Sequence, residues 1–86
     1  MLRLFTDFHA VDPDGYLFIL KHDGNDLENV AEKLGVARGD EVILDAHDGF
    51  ELSGILEFRY VVNLDRQTWV ALPDWATRTE KKPEAR

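Results

Sequence analysis

Phe50-Glu51-Leu52-Ser53-Gly54-Ile55-Leu56-Glu57-Phe58-Arg59-Tyr60-Val61-Val62 is the stretch that decides the fold. Phe50, Leu52, Leu56, Phe58, Tyr60 and Val62 share one parity, with Gly54 in the same series. Glu51, Ser53, Glu57 and Arg59 take the other parity. A period of two sends successive side chains to opposite faces of a strand. The run covers 13 residues, against about five or six in an ordinary strand. So long a strand must curve, and Gly54 is the expected place for a bulge or a barrel corner.

Downstream, Asn63-Leu64-Asp65-Arg66 turns the chain, and Gln67 to Leu72 returns as a strand carrying Trp69. Pro73 is expected to end that strand, with Asp74-Trp75-Ala76 as a single turn after it. Thr77 to Arg86 is polar, contains Pro83 and lacks a large apolar residue, so it reads as a disordered tail. The domain is therefore expected over residues 1–76 and the tail over 77–86.

Upstream, His47-Asp48-Gly49 is a turn, preceded by a strand in which Val42, Leu44 and Ala46 alternate with Glu41, Ile43 and Asp45. Before that lies a helix over residues 26–34. Leu27, Val30, Ala31 and Leu34 form one apolar stripe at i, i+3, i+4, i+7. Asn25 with Glu28 has the spacing of a capping box, and Gly35 suits the left-handed residue after the helix. Tyr16 to Leu20 is a short apolar run that reads as a strand covered on both faces. Asp12-Pro13-Asp14-Gly15 is a tight turn, and Leu2 to Ala10 alternates as a first strand. The order β-β-α-β-β-β predicts a mainly β (α+β) fold: a small five-stranded, partly closed antiparallel barrel, or a curled sheet, with one short helix.

The chain has 86 residues and a mass of 9.9 kDa, enough for one small domain. It has no cysteine, which excludes disulfides, Cys-ligated zinc and a thiol nucleophile. Net charge is −7. Residues 7–57 hold 13 acids against Lys21, Lys33 and Arg38, whereas residues 78–86 hold four bases against two acids. An acidic body repels phosphate backbones and anionic lipid, so nucleic acid and membrane are not expected partners. The apolar run Tyr16–Leu20 is far too short to span a bilayer, and Met1 to Asp7 lacks the apolar core of a secretion signal. With no cysteine, the expected location is cytoplasmic.

Chemistry-bearing patterns are sparse. Asp14-Gly15, Asp23-Gly24 and Asp48-Gly49 are hairpin-turn signals and lack calcium-loop spacing. His9, His22 and His47 show no metal-ligand spacing. Ser53 has no nucleophile-elbow motif, and Gly35-Val36-Ala37-Arg38-Gly39 follows a helix instead of opening one. No catalytic residue, metal or cofactor is expected. The aromatics Phe50, Phe58, Tyr60, Trp69 and Trp75 crowd the second half, and Trp75 is the one that core packing least requires.

Gly39-Asp40-Glu41-Val42-Ile43-Leu44, then Gly49, Gly54 and Trp69-Val70-Ala71-Leu72-Pro73, resembles the strand run of SH3-like small barrels, over about half the chain. That resemblance implies a module that binds peptides or other proteins. Leu34-Gly35-Val36-Ala37-Arg38-Gly39-Asp40-Glu41-Val42 is similar to the helix-to-strand corner of AbrB-type swapped-hairpin regulators, which bind DNA as dimers. This chain lacks their basic residues.

The expected function is a small, acidic, non-enzymatic interaction module for a basic or proline-rich protein or peptide. Tyr60, Trp75, Asp48 and Asp74 are the expected binding surface. Two alternatives stand beside it: an acidic inhibitor, immunity- or antitoxin-like, that blocks a basic site, and an AbrB-like DNA-binding regulator. Exposed edge strands leave room for a homodimer.

Overall fold

The long alternating stretch forms β5 (Phe50–Val61), and its partner β6 runs from Arg66 to Glu80. They are the two longest elements of a computed structural model that describes residues 1–46 and 49–80. The other strands are β1 (Arg3–Thr6), β2 (Leu20–His22), β3 (Asn25–Asp26) and β4 (Glu41–Asp45), with one helix, α1 (Leu27–Leu34). All six strands form one mixed sheet in the order β3-β2-β1-β4-β5-β6. Every pairing is antiparallel except β1 with β4.

The mainly β fold with one short helix is as expected, but the five strands of an antiparallel barrel or curled sheet are here six strands of one open, mixed sheet. The parallel pair follows from connectivity. Between β1 and β4 the chain makes a hairpin and a helix, and a long crossover of this kind lets two strands run the same way. The sheet still curls. Leu17 donates to the Ala71 carbonyl at 2.9 Å and accepts from the Ala71 amide at 3.0 Å, so one residue spans from the β2 side to the free edge of β6.

That contact also corrects the strand expected at Tyr16–Leu20. Leu17 is spent on β6, and regular pairing with β1 begins only at Leu20. The turn before it forms as read: one Asp12 carboxylate oxygen accepts from the Asp14 and Tyr16 amides, each at 2.9 Å. The Asp23-Gly24 turn has φ of 50° and 82°, the positive pair that a type I′ hairpin needs.

The helix is displaced by one residue at its start, and no capping box forms. Asn25 is drawn into β3 opposite His22, Asp26 ion-pairs with Lys21 at 2.6 Å, and Glu28 reaches across to Arg66. The C-terminal end obeys the sequence. Gly35 takes φ 71°, its amide donates to Glu32, and the Val36 amide donates to Ala31, the Schellman pattern. Leu27 and Ala31 are buried against Leu4, Leu17, Leu20, Leu44 and Leu56. The helix therefore packs on the face of the sheet that carries the core.

β4 pairs only with residues 51–55 of β5. Beyond Leu56, β5 and β6 continue as a two-stranded ribbon. There the predicted parity fails: Phe58, Tyr60 and Val62 are exposed, and Val61 is fully buried. The twist of an unsupported ribbon turns its faces away from the core it left.

β6 does not stop at Pro73. Pro73 has the same parity as Ala71, whose N–H and C=O face outward to Leu17. Residues of equal parity face the same way, so the missing N–H of Pro73 falls on the free edge and removes no ladder bond. Within the stretch expected as tail, Thr79 and Glu80 pair again with the start of β5: Thr79 opposite Glu51 and Glu80 opposite Phe50. Between the two registers β5 has only Leu52, while β6 has Trp75 to Arg78, an irregular bulge of four residues against one. Residues 81–86 of the expected tail lie outside the described residues. Among the described residues, no helix is long and apolar enough to cross a membrane.

Candidate interaction surface

The bulge in β6 is built by short polar side chains. Asp74 Oδ1 accepts from the Ala76 amide at 3.1 Å, and the Thr77 hydroxyl donates to the Asp74 carbonyl at 2.7 Å. Thr77 Oγ1 also accepts from the Ser53 amide at 2.8 Å, which pins the bulge to β5. These bonds turn Trp75 out of the ladder. Its indole meets Phe8 edge-on, with ring centroids 5.6 Å apart, and lies 6.2 Å from Phe50. Phe8 and Phe50 are themselves 5.0 Å apart. Edge-to-face and tilted geometries at these distances are favourable for rings.

Phe8 is held by a local turn after β1. Asp7 Oδ1 accepts from the His9 amide at 2.9 Å, and the Asp7 carbonyl accepts from Ala10 at 2.9 Å. Phe50 is buried beneath the cluster, whereas Trp75 stays 52% exposed. Arg78 lays its guanidinium 4.1 Å from the Phe50 ring centroid and pairs with Glu80 at 2.8 Å. Three rings and one guanidinium thus cluster together, with Asp7 and Asp74 next in sequence to two of the rings.

Of the four residues expected to form the site, Trp75 and Asp74 lie together there. Asp74 is committed to holding the bulge. Tyr60 is elsewhere: it pairs opposite Gln67, at the far end of the ribbon. Trp75 lies eight positions beyond Gln67 along β6, about 25 Å at strand rise. Tyr60 is 51% exposed and its hydroxyl donates to Asp65, a bond that raises its pKa above the ordinary value. Asp48 lies outside the described residues, as does His47. His9 is fully solvated, and His22 sits at the β2–β3 turn, 3.7 Å from Asp23. Among the described residues, no group of three or more His, Asp or Glu side chains is placed to hold a metal ion.

Phe8 and Arg78 belong to the surface without having been read as such. Phe8 shares the parity of β1, and nothing local says that the chain turns at Asp7. Arg78 lies in what composition alone makes a tail. Only the long-range register of β6 on β5 reveals either.

The Leu34–Val42 corner is a helix end followed by a loop, closed where the Ala37 amide donates to Asp40 Oδ2 at 2.8 Å. No protein-family model, curated protein or solved structure shows significant similarity to the chain.

Proposed function

We propose that this protein is a small acidic interaction module that binds a protein or peptide through the Phe8–Phe50–Trp75 surface. The observation that carries the reading is Trp75. A domain this small gains most from burying its indoles, yet half of this one is left in water, edge-on to a second ring. Solvent-exposed aromatic clusters mark contact surfaces. The single-residue closure of the sheet by Leu17 supports reading the curl as a partly closed, SH3-like interaction barrel. A cytoplasmic setting belongs to the same reading.

A partner carrying arginine or proline suits the surface. Arg78 over Phe50, a guanidinium already seated on one of these rings, supports that choice. The net charge of −7 favours a basic partner on approach. The test uses the immobilised full chain and its Trp75→Ala variant as baits in lysate, each at low and high salt. Capture by the parent chain that survives high salt and is lost in Trp75→Ala supports the reading. Equal capture by both baits removes Trp75 from the site. Capture that disappears steeply with salt in both baits favours instead the acidic inhibitor that blocks a basic site, a reading that rests on the 13 acids between residues 7 and 57.

A further inference from the structure

A groove distinct from the aromatic surface opens between the first turn of α1, β2 and the β5–β6 hairpin, with a volume near 310 Å³. Leu27, Leu64 and Trp69 give it an apolar lining. Trp69 is fixed there by an edge contact with Phe58, centroids 5.4 Å apart. Two ion pairs stand among the lining residues. Lys21 Nζ meets Asp26 Oδ1 at 2.6 Å, and Arg66 meets Glu28 Oε2 at 2.6 Å. All four side chains are between a third and a half exposed. Thr68, buried behind them, approaches Glu28 at 3.4 Å.

We propose that this groove binds a small zwitterion with an apolar side chain, of the size of a free aliphatic or aromatic α-amino acid. The charge pattern selects it. A simple anion would meet Asp26 and Glu28 unbalanced, and a simple cation would meet Lys21 and Arg66. A molecule holding an ammonium and a carboxylate on one carbon exchanges partners with the existing pairs and leaves no charge uncompensated. Exposed ion pairs are weak, so opening them to a ligand costs little. Arg66 keeps the Glu28 carboxyl below its ordinary range, so a carboxylate is there to receive the ammonium. The volume lies at the small end of ligand cavities, roughly 300 to 1,000 Å³, and Leu27, Leu64 and Trp69 would receive the side chain. None of these residues belongs to the Phe8–Phe50–Trp75 ring cluster, so the inference stands apart from the proposed function.

The test is a titration of the ¹⁵N-labelled full chain with L-phenylalanine and L-leucine, followed by NMR. Trp75→Phe assigns the Trp69 indole signal. Saturable shifts at the Trp69 indole and at the Leu27 and Leu64 amides are expected. N-acetyl-phenylalanine and phenylalanine amide, each missing one charge, should bind at least about tenfold more weakly, a difference of ~1.4 kcal/mol. Arg66→Gln should weaken phenylalanine similarly while its spectrum stays dispersed. The absence of saturable shifts up to the solubility limit of either amino acid overturns the proposal. Equal binding of the blocked derivatives to the parent chain does so too, whatever the variant does.

Discussion

Gly54 shows how one missing methyl shapes the sheet. A Cβ built there would lie 2.5 Å from Leu44 Cδ1 and 3.1 Å from the Leu72 carbonyl oxygen. Leu44 is fully buried and cannot swing away. Gly54→Ala should therefore destabilise the fold by about 1–3 kcal/mol, read from the urea midpoint. A methyl-sized gain at an exposed strand site would do nothing of the kind. The residue was legible in the sequence as special, but for another reason. The sequence predicts a bulge or a barrel-corner bend at Gly54 itself. The structure keeps regular pairing there, with Val42 on one side and Pro73 on the other, and places the bulge between Glu51 and Ser53. A glycine in a strand pattern does not say whether curvature or close approach required it. Glu28 carries a second residue-scale expectation. Its folded-state pKa is lowered from 4.5, chiefly by the hydrogen bond from Arg66. A lowered carboxyl pKa adds stability above the unfolded value and loses it as pH falls through the folded one. The stability difference between the parent chain and Arg66→Gln should thus be full at neutral pH and close progressively below pH 4.5.

Elements were legible where the signal was local. The α1 stripe, its Gly35 end and the Asp23-Gly24 hairpin all follow from residues within one turn of each other. The N-terminal end of α1 was not, because the partners that outcompete the capping box, Lys21 and Arg66, come from other strands. β6 is the sharpest case. Proline forbids an N–H, so Pro73 reads as a stop until the strand is known to be an edge with that position facing outward. This can be checked directly. Pro73→Ala should change stability by less than about 0.5 kcal/mol. Leu72→Pro, one residue away, removes an N–H that faces β5 and should cost about 3 kcal/mol or more, measured by chemical denaturation.

For the whole molecule, the sequence supports a single β-rich domain with one helix, but not its strand order. The parallel pairing of Arg3 with Ile43 joins residues 40 positions apart, and no periodicity reports on such a contact. The consequence is that β1, a four-residue strand, lies inside the sheet between β2 and β4. Stability should be distributed accordingly. Native-state hydrogen exchange should find the slowest amides in β1, β4 and residues 54–56 of β5. β3 and residues 75–80 of β6 should exchange fastest among the strands. Fast exchange throughout β1 would contradict the topology. The proposed contact surface was half-legible for the same reason. Trp75 announces itself as surplus, but Phe8 and Arg78 join it only through the register of distant strands, and Tyr60 is carried away by the length of the ribbon.

The double hydrogen bond between Leu17 and Ala71 ties the segment that leads into β2 to the outer edge of β6, across a sheet that is otherwise open. The curl is held there by main-chain atoms. Side-chain substitution at either residue leaves those atoms in place. The curvature is thereby insulated from most mutation at that tie, while replacing the peptide N–H of Leu17 by an ester oxygen would slacken it.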